Sequence, residues 1–420
     1  MHIPRGGESL AIDTGATAWI LTATALVMIM TPALGFFYGG LVRRKNLTST
    51  IIQTLAIFSV VSLLWAFYAF SLSFAPSVYG LIGNTQYFFL NGIGEQPIPT
   101  YSALIPALLY FAFELKFAAI TPALIIGAFA ERIRFKALLI FIVLWTTFVY
   151  SPVSNWVWGP TGWLHALGVI DFAGGLVVHL TAGVSAVAAA LVLGKRIGIS
   201  ETRDTRPNNV PFVILGAALL WFGWFGFNGG SAIGADGIAV QAIVNTNLAA
   251  AAAAVSWMLV EWFRKGKPSA VGIAIGAVAG LVAITPAAGY VDSMAAIGIG
   301  LVGGAISFSV SDWKFLRSRL DDSLDVFACH GAGSIWGVLA TGLFASTVIN
   351  PGGPNGAFYG NIHQFFLQAF GVVVVGAFSF VAAFLLLKLT NLITPLRVSP
   401  AEEEEGLDLA EHGQESYYFD

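Results

Sequence analysis

Charge is what this 420-residue chain has least of. Asp, Glu, Lys and Arg together make up 10% of it, against roughly 25% in a soluble domain. With 57% hydrophobic residues and a mean hydropathy of +0.79, that deficit excludes a soluble enzyme and indicates an integral membrane protein. Cysteine is almost missing as well. The single Cys329 excludes an internal disulfide and any cysteine-based metal cluster, and neither a cofactor nor a metal is expected. No basic tract is present, and a net charge of −3 gives no reason to expect nucleic acid. The opening Met-His-Ile-Pro-Arg lacks the basic-then-apolar order of a cleavable signal peptide.

Apolar runs and glycine are abundant. The 47 glycines allow helices to approach closely in lipid. A helix needs about 20 apolar residues to cross the hydrocarbon core. On that basis the sequence predicts spans near 16–42, 49–76, 102–130, 137–153, 170–194, 212–234, 239–263, 269–289, 294–311, 323–346 and 363–392, with the faintest divisions at 235–238 and 290–293. Basic clusters at 43–45, 132–136, 195–206, 264–267 and 314–319 each follow an odd-numbered span. With Lys388 and Arg397 added, 18 of the 20 Lys and Arg fall on one side, leaving Arg5 opposite and Lys116 inside the third span. Positive charge marks the cytoplasmic side, so the N-terminus is expected outside and the C-terminus inside. The polar residues from about 393 to 420, with the acidic run Glu402–Glu405, are expected to form a cytoplasmic tail on a membrane domain of 1–392.

Two histidines occupy similar apolar settings. His179 lies in Asp-Phe-Ala-Gly-Gly-Leu-Val-Val-His-Leu-Thr-Ala-Gly (171–183), and His330 in Leu-Asp-Val-Phe-Ala-Cys-His-Gly-Ala-Gly-Ser (324–334). Each follows an aspartate by one or two turns and precedes a small Ala-Gly step. Ionisable groups at membrane depth are costly and mark substrate or proton pathways. The first lies in span five and the second in span ten, running oppositely, as an inverted repeat of five plus five helices with an eleventh appended would place them. One imidazole can donate where its partner accepts, so a pair can relay a proton, and an apolar pore favours neutral rings.

Aromatic residues accompany them. Phe113 and Phe117 share one helix face, span six contains Trp-Phe-Gly-Trp-Phe-Gly-Phe-Asn-Gly-Gly-Ser (221–231), and Asn-Trp-Val-Trp-Gly (155–159) lies in the loop before span five. Aromatic faces attract a desolvated cation, and a cation with N–H groups would also use an acceptor such as Ser231. The structural alternative is that these rings only fill helix interfaces.

Five ordered motifs now identify a family. Gly-Phe-Phe-Tyr-Gly-Gly-Leu-Val-Arg-Arg-Lys-Asn (35–46), Ala-Glu-Arg-Ile-Arg-Phe (130–135), Asp-Phe-Ala-Gly-Gly-Leu-Val-Val-His, Trp-Phe-Gly-Phe-Asn-Gly-Gly-Ser and Gly-Leu-Asp-Leu-Ala-Glu-His-Gly (406–413) resemble the ammonium transporter family (Amt/Mep/Rh), on its Amt branch, over essentially the whole chain. The resemblance implies an outer ammonium site from Trp158, Phe113 and Ser231, and beneath it a stacked gate of Phe117 and Phe227. It implies a narrow pore lined by His179, His330 and Trp224, with Asp171 shaping the vestibule without touching substrate. It further implies ammonium or ammonia as cargo, with methylammonium a possible analogue, a homotrimer in the cell membrane with one pore per subunit, and a cytosolic PII-type regulator at the tail.

The chain departs from that pattern in Phe-Glu-Leu-Lys-Phe (113–117). The position of Glu114 is typically Gln in relatives, and that of Lys116 uncharged. Residues two apart point about 200° apart on a helix, so the two cannot easily pair with each other. Each flanks the face of Phe113 and Phe117, and each is expected to find a partner on a neighbouring helix, across a subunit interface, or in the ion path itself. Asn155, where many relatives have His, is expected to affect only the vestibule. These departures keep an ammonium sensor of the same fold as a rival to a transporter, although the sequence stops at Asp420 with no kinase or cyclase domain. A sodium-coupled amine carrier would need a midplane carboxylate and carbonyl cluster, which the sequence does not offer.

Overall fold

Short polar side chains cap the starts of five apolar helices of this chain, at Asp13, Asn209, Asp236, Ser269 and Asp292. The computed structural model describes residues 11–199 and 206–417. Arg5 and Arg203, both counted in the charge map, lie outside them. In chain order the apolar helices are α1 (Thr14–Leu41), α2 (Arg44–Phe74), α3 (Ala107–Phe129), α4 (Phe135–Val157), α5 (Gly175–Leu193), α6 (Val210–Gly230), α7 (Gly237–Lys265), α8 (Ala270–Ile284), α9 (Ser293–Ser311), α10 (Phe327–Phe344) and α11 (Ile362–Ile393). Ten are long and apolar enough to cross a membrane; α8, at 15 residues, is shorter.

The faint divisions are set by aspartates. Asp236 caps α7 by accepting from the N–H groups of Ile238 and Ala239 at 3.0 Å. Asp292 does the same for α9 with Met294 and Ala295 at 2.9 Å. A carboxylate there satisfies orphan amides and faces the positive end of the helix. The span expected at 269–289 ends early, at Ile284. Residues 285–290 turn instead, with Ala287 N–H donating to Ile284 at 2.9 Å and Tyr290 N–H to Ala287 at 2.8 Å. This non-helical stretch is tolerated because protein surrounds it: Ala287, Ala288 and Val291 are fully buried.

Small residues bring the helices together. A Cβ on Gly216 of α6 would come within 2.4 Å of the Phe37 backbone on α1, and one on Gly300 of α9 within 2.3 Å of Ala249 on α7. In lipid such close backbone approach supplies packing energy that the hydrophobic effect does not. Four segments wind as π-helix: Trp65–Ala69 in α2, Thr146–Tyr150 in α4, Gly175–Leu180 opening α5 and Phe327–Ala332 opening α10. π-Turns concentrate at functional sites, and the last two carry His179 and His330.

The basic loops and the polar tail share one face of the molecule. Arg43 bonds Glu131 through Nε at 2.6 Å, and Arg196 bonds Asp321 through Nε and Nη2, each at 2.9 Å. Burial alone would raise Asp321, but the hydrogen bonds and charge of Arg196 outweigh it and hold the carboxyl below its ordinary range. The tail forms two short helices, α12 (Pro400–Glu405) and α13 (Leu407–His412). Buried Asp408 accepts from Thr48 N–H at 3.1 Å and Ser49 N–H at 2.7 Å, Arg397 pairs with Glu403 at 2.8 Å, and Arg134 with Glu402 at 3.0 Å.

Candidate functional site

An unbroken line of aromatic contacts leads from the end of α4 to the two histidines. Trp158 was expected on a loop; it is the C-terminal cap of α4, because helix continues through Val157. Its indole N–H donates to the carbonyl of Asp171 at 2.9 Å. The Phe117 ring lies edge-on to Trp158, 5.9 Å between centroids, and tilted by 33° against Phe227 at 4.2 Å. Phe113 meets Phe117 edge-to-face at 5.0 Å. Its ring also fills the space beside Gly230, where a Cβ would come within 2.6 Å of it. Ser231 follows as the C-cap of α6, and its hydroxyl donates to the Phe227 carbonyl at 2.8 Å. The hydroxyl oxygen therefore keeps its acceptor capacity.

Beyond the phenylalanine pair lies a narrow chamber lined by Leu34, Ile120, Leu124, Trp224, His179 and His330. The His179 and His330 Nδ1 atoms are 3.1 Å apart, and the rings are nearly coplanar at 20°. One Nδ1 must donate and the other accept, so neutral rings adopt different tautomers. His179 Nε2 is buried without a protein partner. Trp224 stacks on His179 at 5.4 Å and 19°. Sequence reasoning missed what holds that indole: its N–H donates to Thr285 at 2.9 Å, from the turn that ends α8.

The setting of each histidine explains its flanking residues. Asp171 is buried and accepts four backbone N–H bonds, from Gly174 and Gly175 to one oxygen at 3.0 and 2.6 Å, and from Leu176 and Val177 to the other at 2.7 and 3.1 Å. It thus anchors the start of α5 from inside the protein, the helix terminus supporting its charge. Gly174 supplies the required φ of 116°. On α10 the matching aspartate is Asp322 rather than the expected Asp325: its carboxylate accepts from Phe327 N–H at 2.7 Å. Asp171 and Asp322 each precede their histidine by eight residues (179 − 171 and 330 − 322), a spacing visible in the sequence. Asp325 is bonded by the Ser311 hydroxyl at 2.8 Å instead. The Ala-Gly step after His179 has a steric cause. A Cβ on Gly183 would come within 2.3 Å of the Gly331 amide nitrogen, so α5 and α10 cross backbone to backbone.

A model of the Ammonium Transporter Family matches residues 18–417. The chain belongs to the ammonium transporter family. It is 45% identical over 410 residues to an ammonium transporter of Bacillus subtilis, covering 97% of this chain and 99% of that one. To ammonium transporter Amt1 of Archaeoglobus fulgidus it is 44% identical over 407 residues, covering 97% and 100%. The solved structure of Candida albicans Mep2 superposes with a TM-score of 0.88 at 38% identity, covering 93% of this chain and 88% of that one. A structure described as a sensor Amt protein gives 0.87 at 32% identity, covering 95% and 98%. The family is one of transporters, and the chain is not an enzyme.

The departures of this ammonium transporter family chain fall outside the aromatic line. Lys116 and Glu114 are each expected to find a partner on a neighbouring helix, across a subunit interface or in the ion path; neither has an ion pair among the described residues. The Lys116 ammonium group instead lies 5.2 Å from the centre of the Phe58 ring on α2, a cation–π contact. Glu114 is buried, and its Oε2 has no hydrogen-bond partner. Asn155 is fully buried rather than vestibular: its amide donates to the carbonyls of Ser73 and Ala75 at 3.1 and 3.0 Å, tying the end of α4 to the end of α2.

Proposed function

We propose that this protein is an ammonium transporter. It recruits ammonium outside, deprotonates it at an aromatic gate, and conducts ammonia, with or without a net proton, through a pore lined by paired imidazoles. The observation that carries the reading is the 3.1 Å His179–His330 contact in a chamber lined by Phe227, whose ring packs against Phe117. Trp158, Phe113 and Ser231 would hold the cation by quadrupole attraction and a hydroxyl acceptor. Dehydrating a whole ammonium ion in the chamber is costly, whereas neutral ammonia passes at far lower cost. The imidazole pair would carry the proton. The eleven apolar helices are read as spans in an inverted five-plus-five repeat, with the N-terminus outside and the basic face cytoplasmic. The assembly would be a homotrimer in the cell membrane. Residues 1–392 form its membrane domain and 393–420 a regulatory tail.

Protein in liposomes on a supported membrane, pulsed with ammonium with and without sodium, tests this. Transient currents that saturate with ammonium and ignore sodium are expected. Saturable binding without current would favour a sensor, the alternative supported by the likeness to the sensor Amt structure.

Trp158→Leu keeps apolar area but removes the ring quadrupole. The half-saturating ammonium concentration should rise by up to about thirty-fold, the equivalent of about 2 kcal/mol. An unchanged value would leave Trp158 with packing alone.

The tail gives a second prediction. Residues 406–413 resemble the segment through which Amt proteins meet PII regulators; here Asp408 binds the amides of Thr48 and Ser49 in α2, and just before the segment the Glu403 carbonyl accepts from Lys45 of the first basic cluster. A PII protein from the same organism should co-purify in a manner that changes with nucleotide and 2-oxoglutarate. Asp408→Asn, which removes a charge bonded to the start of α2, should loosen the tail and weaken that binding. Failure of PII to bind the intact protein would leave the tail as a brace.

A further inference from the structure

Glu114 sits between the two phenylalanines of α3, about 1.5 Å along the axis from Phe113 and about 4.5 Å from Phe117, but its side chain leaves the helix about 100° away from Phe113. It is 7% exposed, and Oε2 is shut away with no hydrogen-bond partner. Among the described residues of this chain, no cation pairs with its carboxylate. The packed stretches 47–74 of α2 and 137–157 of α4 contain no Asp, Glu, Lys, Arg or His. On α3 itself, Lys116 points to Phe58. On the other neighbours of α3, Tyr38 of α1 donates to the Leu124 carbonyl at 3.0 Å, and His179 of α5 is paired with His330.

Tyr110 lies one turn away from Glu114 on the same helix, and α3 packs on the π-helical segment of α4 that carries Tyr150. Tyr150 is fully buried with its hydroxyl unbonded. The π-helical segment of α2 brings Trp65 to 6.2 Å from Tyr150, and the Tyr68 hydroxyl there pairs with Thr147 at 2.9 Å. Two irregular turns thus meet around the unbonded phenol of Tyr150, and the buried carboxyl of Glu114 lies on the helix packed against them. A buried acid without a cation takes up a proton rather than remain charged.

We infer that Glu114 is a proton-binding site linked to the outer cation site, so that an ammonium ion bound at Phe113 and Trp158 supplies the missing positive charge and expels the proton. The inference rests on the outer site proposed above. In the step, the O–H bond of the carboxylic acid breaks, the carboxylate keeps the electron pair, and the proton passes to water on the Trp158 side. Cation and proton then compete by thermodynamic linkage.

The test uses infrared difference spectra of the whole protein in liposomes, with ammonium chloride against sodium chloride, alongside ammonium titrations at several pH values. Ammonium should remove a carboxylic C=O band that is missing in Glu114→Gln, retained in Lys116→Met and displaced in Tyr150→Phe. The half-saturating ammonium concentration should fall by up to about tenfold per pH unit in the wild type, where one proton leaves per cation bound, and lose that dependence in Glu114→Gln. A wild type that saturates with ammonium but shows no such band, or a band indifferent to ammonium, overturns the inference and leaves the transport reading intact. Should Glu114→Gln fold poorly, the Tyr150→Phe displacement decides the assignment: no displacement overturns it. Absence of any ammonium saturation in the wild type removes the transport reading, and this inference with it.

Discussion

His179→Ala and His330→Ala should each abolish selective ammonium transport, with the folded protein expected in normal amount. Either change removes one half of the 3.1 Å Nδ1 contact and leaves the other ring without its partner inside an apolar chamber. A proton can no longer be handed from ring to ring. The expected loss is to the background of protein-free liposomes, read as ammonium-induced current per folded pore. Replacing either histidine with an acid has a different expected result. A carboxylate stabilises any cation, so conduction survives while discrimination against potassium is lost. Wild-type currents in both alanine variants would remove these residues from the transport path.

Gly183→Val produces the next largest effect, through packing rather than chemistry. The added Cβ would stand 2.3 Å from the Gly331 nitrogen and 2.4 Å from its Cα. These are backbone atoms, so no rotamer change relieves the clash, and α5 must move away from α10. His179 and His330 ride on those two helices, one turn and one residue from the crossing glycines respectively, so the same displacement opens the imidazole contact. Overpacking in a tight interior costs about 1–3 kcal/mol and at times more. A marked fall in thermal unfolding temperature in detergent is expected, together with loss of ammonium current in whatever protein still folds. Normal stability and normal current would show that the crossing is looser than its geometry implies.

Much of this was legible residue by residue. Apolar length located each helix to within a few residues, except where 269–289 stops at Ile284 because a buried turn replaces the last residues of the span. The charge clusters pointed to one face, where Arg43, Arg196 and Arg134 do meet the acids of the loops and tail. Motif resemblance selected Phe113, Phe117, Trp158, Phe227, Ser231, His179, Trp224 and His330, and the fold brings all eight into one continuous line of contacts. Thr285 carried no signal, because a threonine after an apolar run looks like any helix terminus until the indole of Trp224 is seen to lie beside it. Asp322 did carry a signal, the shared eight-residue spacing to histidine, which is outweighed in a linear reading by the nearer Asp325.

The sequence by itself determined that this is a helical membrane protein, where its helices lie, and which aromatic and imidazole groups it can offer. Those properties follow from the local cost of placing polar groups in hydrocarbon and from helical periodicity. Only the tertiary structure decided where polar side chains without an adjacent partner would go. Asp171 directs its charge to four amides of its own helix start, Asn155 bridges α4 to α2, Lys116 settles on Phe58, and Glu114 is buried with Oε2 unbonded. The Asp171 contacts are local, three to six residues along the chain, whereas the places of Asn155 and Lys116 depend on which helix packs alongside, a relation between residues tens of positions apart that no local pattern encodes.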